Sequence, residues 1–381
     1  RKLQNNFYDK NNFDIKKISN LIDIIRDKIL KVNSSFSKIG LKILHITNLN
    51  ERYNGRLFYN TGRRLNNGFA KLNHKVLTLS DRDLLRNYKS LTDISGSKKL
   101  NKTFIETVRN FKPNLIVLGH ADSIKKESLI KIKNEFPEIK IVQWFLDRMD
   151  NQWKINKSRF LDKIEFMDYS FCTTDPKSLK FNKKYNISFI PNPVDQSLDD
   201  MKVFENDNPE FDLFFAMSHG VHRGVLKKGK FDKREIFINN LISKNPNLKF
   251  NIFGMNKIQP VWGDEFKTNL FNSKIALNLS QGKPLKYYSS DRIAQLMGNG
   301  IATLIDKKTK LNHLFSSKSA IFYNSFEDLN LKLNKLVKND QLRNKIALRG
   351  KIEYHKKYNS IKVADFIICK VFNIKKKFSW K

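Results

Sequence analysis

Two cysteines in 381 residues are too few for a disulfide framework. Cys172 and Cys369 lie far apart, and Cys172 sits in the apolar run YSFCT, so two buried free thiols in a reducing compartment are expected. Long hydrophobic runs are missing as well. A bilayer span needs ~20 apolar residues, and the longest stretches here, such as residues 211–217, are strand length. Acidic residues are short by half: 37 Asp and Glu stand against 72 Lys and Arg, a net charge of +35. Proline is scarce, but Pro191 and Pro193 stand together in IPNPVD (190–195), where no regular element continues. The chain opens on Arg1, so a removed targeting segment ahead of it stays open. The length allows two ordinary domains, and 40% hydrophobic residues exclude wholesale disorder.

A charge of this size favours anionic partners. Yet the lysines are spread over nearly every segment, as compositional drift would leave them. Zinc-finger spacing, an RNP-type aromatic segment and a basic zipper are all missing, which argues against nucleic acid. The final stretch, KVFNIKKKFSWK, mixes lysines with Phe372, Phe378 and Trp380. That mixture suits an anionic membrane surface, and it equally suits a frayed basic tail.

What is present is a repeat of strand and helix. Residues 1–40 predict a helical extension, with Ile15, Ile18, Leu21, Ile22, Ile25 and Ile29 on one stripe. From residue 42, short apolar runs at 42–47, 75–80, 114–119, 139–145, 169–173 and 187–190 alternate with polar, helix-length segments. After IPNPVD and an acidic stretch the alternation resumes, at 211–217, 249–254, 274–280, 301–306 and 320–324. Strands apolar on both faces, separated by helices, predict parallel sheets wrapped by helices. The boundaries expected are 41–195 for the first Rossmann-like domain, 196–358 for the second, and 359–381 for a last helix and basic tail. Ligands of such sheets settle outside the carboxyl ends of the strands, so two domains with those edges opposed would enclose a cleft.

Three consecutive segments carry a resemblance: DRIAQLMGNGIATLID (291–306), AIFYNSFEDLNLKLNKLVKND (320–340) and LRNKIALRGKIEYHKKY (342–358). With FIPNPVD upstream as a hinge, they resemble the group 1 glycosyltransferases of the GT-B fold, and among them the CgeB-like branch. Residues 42–80 are similar, more loosely, to the opening strand, glycine-bearing loop, helix and second strand of the same enzymes. The resemblance implies a nucleotide-sugar-dependent transferase of the cytoplasm, or of the inner membrane face through its basic tail. Its first domain would hold a glycan or lipid-linked acceptor and its second the nucleotide-diphosphate sugar, with no cofactor and no resident metal.

The resemblance also implies site residues. Ser290, Asp291 and Arg292 open the helix that faces the donor, and Arg292 suits a diphosphate clamp. Many relatives place a Glu-x7-Glu here, the second Glu on the ribose; this chain has Tyr287 and Gln295 instead, with Asp291 as a substitute. The loop SHGVHRGVLKKGK follows the second domain's first strand, where Gly220 and Gly224 would let backbone approach the phosphates and Arg223, Lys227 and Lys228 would neutralise them. Gly254 stands where base or ribose contacts fall, and Lys283 and Lys286 are further phosphate candidates. On the acceptor side stand Asn54, Gly55 and Arg56, then Asp122 and Asp150. Asp147 and His120, at strand ends, are the candidates for the general base or acceptor-orienting groups. His219 and His222 lack a third metal ligand nearby, and Asp81 with Asp83 reads as helix capping rather than a metal-binding Asp-x-Asp. The alternatives are a sugar-nucleotide epimerase, a non-catalytic binder of the same fold, and a basic nucleic-acid-binding protein.

Overall fold

The computed structural model describes residues 40–218 and 232–380, with the backbone of two short strands, β8 (Val221–His222) and β9 (Val225–Leu226), between them. The helix expected over the first forty residues lies, up to residue 39, outside the described residues.

The first sheet has six strands: β1 (Lys42–Thr47), β2 (Lys75–Leu79), β3 (Leu115–Gly119), β4 (Lys140–Phe145), β5 (Tyr169–Cys172) and β6 (Ile187–Phe189). Their order is β2-β1-β3-β4-β5-β6, all parallel. The helices that alternate with them are α1 (Thr61–Lys71), α2 (Asp81–Asn87), α3 (Ser97–Phe111), α4 (Lys126–Glu135) and α5 (Lys154–Leu161). Alternation within the strands feeds two cores. Ile43, Leu115, Val117 and Val142 point to the side of α1, while Leu44, Ile46, Ile116 and Leu118 point to α3 and α4.

The second sheet repeats the plan with β7 (Phe211–Ala216), β10 (Phe250–Phe253), β11 (Ser273–Asn278), β12 (Ala302–Asp306) and β13 (Ile321–Tyr323), in the order β10-β7-β11-β12-β13, all parallel. Its helices are α6 (Lys233–Lys244), α7 (Gly263–Phe271), α8 (Arg292–Met297) and α9 (Phe326–Val337). Leu213, Phe215, Ile275 and Leu277 face α6 and α9, while Phe214, Ala216 and Ala276 face α7 and α8. Each sheet reverses its strand order beside its first strand, at β1 and at β7. A crevice opens at such a switch point because the flanking helices lie on opposite faces.

The chain then returns. After α10 (Asp340–Lys357), α11 (Ser360–Val371) crosses to the first domain and packs on α1. Gly68 permits the approach, since a Cβ there would meet the Ser360 carbonyl at 2.2 Å. Asp195, in the hinge, ties the crossing by accepting from Ser360 Oγ at 2.5 Å and from Lys71 Nζ at 2.8 Å.

The tail, expected to suit either a membrane surface or a frayed end, packs on the body: Phe378 and Trp380 meet Phe366 edge-on, and Trp380 also meets Tyr358 at a tilt, as partly buried rings. Both cysteines are buried and neither forms a disulfide, and burial pushes the Cys172 thiol up to about 12. Among the described residues no helix is long and apolar enough to cross a membrane.

Candidate active site

The carboxyl ends of the two sheets enclose a cavity of about 300 Å³. From the first domain it is lined by Asn50, Arg56, Tyr59 and Leu146; from the second by Met217, Trp262, Ser290 and Arg292, among others. Loops after β1 and β4 thus oppose loops after β7, β10 and β11.

Arg292 lines the second domain's side of this cavity. As the first residue of α8 it reaches under the ends of two strands, its Nε donating to the Ala216 carbonyl (3.1 Å) and its Nη1 to the Leu279 carbonyl (2.9 Å). Ala216 ends β7 and Leu279 follows β11, so the guanidinium lies at the switch point. Among the described residues no carboxylate pairs with it. Burial, and then the neighbouring Arg234, push its pKa down to about 10, as a poorly compensated cation in low dielectric requires. Arg234 itself is held by Asp232 in a two-pronged pair, with Nη2 at 2.7 Å. Ser290 Oγ and Trp262 Nε1, both on the cavity wall, are buried without a protein partner among the described residues. Trp262, Ser290 and Arg292 thus belong to one wall of the cavity.

Asp291 and Gln295, expected at the ribose, line the cavity and also take part in an interdomain clamp. Arg64, on α1 of the first domain, is fully buried and spans both domains. It grips Asp199 through Nε and Nη2, each at 2.7 Å, and Asp291 through Nη1 at 2.9 and 3.0 Å. Thr61 Oγ1 adds a bond to Asp291 at 2.6 Å, and Gln295 Nε2 bonds Asp291 (3.1 Å) and the Tyr59 carbonyl (3.2 Å). Burial alone would lower the Arg64 pKa, but Asp199 and Asp291 outweigh it and hold the guanidinium above its usual range. Each Asp291 oxygen already accepts two bonds within this interdomain clamp, which leaves little capacity for a diol. Sequence reading missed Arg64. Its signal was a charge one position from Leu65 on the same helix face as Thr61 and Gly68, a place that demands a buried partner.

The remaining donor-side residues divide. Gly254 (φ 79°) lets the end of β10 press on β7, since a Cβ would meet the Met217 carbonyl at 1.7 Å; it shapes the wall rather than lining it. Lys283 is exposed beyond β11, outside the cavity lining. Lys286 pairs across the domains with Asp175 at 3.3 Å. Gly220 and Arg223, with His219, Gly224, Lys227 and Lys228, lie outside the described residues, as does the His222 side chain. Among the described residues no group of three His, Cys, Asp or Glu side chains is arranged to hold a metal ion.

On the first domain Arg56 lines the cavity beside Trp262, its guanidinium 5.9 Å from the ring. Asn54 (φ 52°) and Gly55 (φ 81°) shape the turn that carries it. His120 lies one layer behind the wall, stacked on Phe145 (4.0 Å between centroids) and edge-on to Trp144. Its Nε2 accepts from the Leu146 N–H at 3.0 Å, which leaves Nδ1 toward Asp147 at 3.7 Å. Burial lowers its pKa, which favours the neutral ring, and its acceptor nitrogen is already used. The geometry does not leave His120 free as a base. Asp147 is the exposed partner, 41% open and flanked by Arg159 at 3.8 Å. Asp122 is taken up by Arg82 (3.1 Å) and Arg159. Asp150 pins Arg148 (2.6 and 3.0 Å), whose Nη1 crosses to the Gln281 carbonyl at 2.5 Å, so it supports the domain seam. Asp83 caps the turn after β1, accepting from Glu51 N (2.9 Å) and Arg52 N (3.2 Å), rather than its own helix.

Residues 233–368 match the family described as glycosyl transferase-like. Among curated proteins no sequence match is found. Sucrose-phosphate synthase from Thermosynechococcus elongatus superposes with a TM-score of 0.54 at 9% identity, covering 87% of this chain and 98% of that one. The N-terminal domain of Candida albicans trehalose-6-phosphate phosphatase gives 0.55 at 11% identity, covering 90% and 99%. Anabaena HepE in complex with UDP-glucose gives 0.52 at 10% identity, covering 87% and 99%. At such identities the likeness is one of fold, and the fold is GT-B: two Rossmann-like parallel-sheet domains facing each other across a cleft.

Proposed function

We propose that this chain is a glycosyltransferase that moves a sugar from a nucleotide-diphosphate sugar to a glycan or lipid-linked acceptor, in polysaccharide assembly. The observation that carries this reading is Arg292, a guanidinium at the switch point of the second sheet with no carboxylate partner among the described residues. A diphosphate there supplies the counter-charge that those residues leave open. As the sugar–phosphate bond breaks, negative charge grows on the leaving diphosphate, and a preorganised cation stabilises it more in the transition state than in the ground state. In this reading the charge is met by Arg292 and backbone N–H groups rather than by a resident metal. Loss of turnover in EDTA would contradict that part.

Asp147, backed by His120 and Arg159, orients the acceptor hydroxyl from the first domain. His120 is a positioning residue: its bond to Leu146 N holds the ring that faces Asp147. Two matches support the assignment, the glycosyl transferase-like segment at 233–368 and HepE, whose complex holds UDP-glucose. The resemblance of residues 291–358 to the CgeB-like branch supports placing the chain there. A non-catalytic binder is the second reading, favoured by one observation: Asp291 and Gln295 are spent on the interdomain clamp.

A thermal-shift panel of UDP, GDP, CMP and dTDP sugars tests the donor, because a ligand of the folded state raises stability with concentration. One nucleotide class should raise the melting temperature, and Arg292→Ala should abolish that shift. Sugar release from the binding donor then separates enzyme from binder. No shift with any nucleotide sugar would end the proposal; binding with no turnover, and no change on Asp147→Asn, would leave the binder.

A further inference from the structure

We propose that the loop between α2 and α3 is a membrane-docking surface, which seats Leu91 and Ile94 in an anionic lipid bilayer beside the first domain's edge of the cleft. Leu91 is 99% exposed and Ile94 81%, the two most open large hydrophobics among the described residues, and they stand three positions apart in one loop. Local structure holds them outward. Ser90 and Asp93 exchange backbone bonds at 3.1 and 3.2 Å, closing a tight turn around residues 91 and 92. Gly96 (φ 73°) then brings the chain back so closely that a Cβ would meet the Leu85 carbonyl at 2.1 Å. The aliphatics are thus presented by a built turn whose own side cannot cover them.

The surroundings select the partner. Arg86, Lys89, Lys98 and Lys99 flank the loop and are exposed. Between residues 84 and 100 the one acid is Asp93, whose carboxylate oxygens accept from Ser95 Oγ (3.1 Å) and Lys99 N (3.0 Å). Two apolar side chains ringed by cations match an interface of acyl chains under anionic headgroups. A protein groove would instead call for a broader apolar face. The position is also apt. α2 leaves the carboxyl end of β2, and the second turn of α3 is tied to the segment after β3, with Asn101 Nδ2 donating to the Ser123 carbonyl at 3.0 Å. The loop therefore lies on the same sheet edge as the cleft. The tail aromatics, packed inward, do not compete for the role.

Vesicle sedimentation with the full chain tests this. With phosphatidylcholine vesicles containing phosphatidylserine, the protein should pellet at low salt and be released as salt rises. The double variant Leu91→Ser/Ile94→Ser should lose about tenfold in partitioning, while Leu331→Ser, which alters a 70% exposed leucine on α9, should not. The variant Leu91→Trp should show a blue-shifted emission with the anionic vesicles alone. Equal pelleting of the double variant and the wild type, equal loss in Leu331→Ser, equal binding to pure phosphatidylcholine, or an unshifted emission from Leu91→Trp would each overturn the proposal. Nucleotide-sugar thermal shifts on the same variants should be unchanged, so this result stands apart from the donor reading.

Discussion

Two arginines at the same cleft have opposite electrostatic settings. Arg64 is fully enclosed and gripped by two aspartates from separate parts of the chain, donating twice to Asp199 and twice to Asp291. Arg292 reaches two carbonyls and no described carboxylate. Both are partly or wholly withdrawn from water, yet one ends with its pKa raised and the other with its pKa lowered. The difference teaches how to read a buried cation. Where the fold supplies the counter-charge, the residue holds structure together; where the described residues withhold it, the proposed reading has an anion from outside supply it.

The comparison can be broken most directly at Arg64. Arg64→Ala leaves Asp199 and Asp291 without their cation, and should destabilise the protein by about 3–5 kcal/mol. Urea unfolding would read the loss, and small-angle scattering would show whether the domains part. A variant as stable as the wild type would mean the clamp is ornamental. Arg292→Met should do the reverse. Stability should change little, because burial already works against the cation, while nucleotide-sugar affinity should fall by about 1.5–3 kcal/mol, tenfold or more. Titration calorimetry distinguishes the two outcomes.

Asp81 extends the comparison to an anion. It is buried at the start of α2, and burial pushes its carboxyl up to about 6. The folded state then holds a proton that the unfolded chain releases, so stability should decline as pH rises from about 4 to about 6. Asp81→Asn should stabilise the protein by about 3 kcal/mol above that window and by nothing below it. Melting curves across pH would show a constant difference if the argument fails. The smallest effect belongs to Tyr59, whose hydroxyl donates to Asp264 at 2.5 Å across the cleft. Tyr59→Phe should cost about 1 kcal/mol, measurable by the same unfolding curves.

Much of the fold was legible. Every apolar run singled out in the sequence between residues 42 and 324 coincides with one of the parallel strands, because strands covered on both faces must be apolar at consecutive positions. Arg292 was legible too, as a cation opening a helix beyond a buried strand. Several site residues sit differently in space, His120, Asp291 and Gln295 among them. His120 turned inward because its ring fills the gap between Trp144 and Phe145 and accepts the Leu146 N–H. Asp291 and Gln295 were read as ligand contacts, but Arg64 reaches the Asp291 carboxylate from more than two hundred residues away. No local pattern announces a partner at that separation.

By itself the sequence determined the alternation of strand and helix, the break at Pro191 and Pro193, and the two-sheet plan, since these follow from periodicity and backbone chemistry within a few residues. The tertiary structure alone decided which charges are paired. That choice sets the Arg64 clamp apart from the open guanidinium of Arg292, and it depends on distances in a low-dielectric seam between two domains that sequence spacing does not encode.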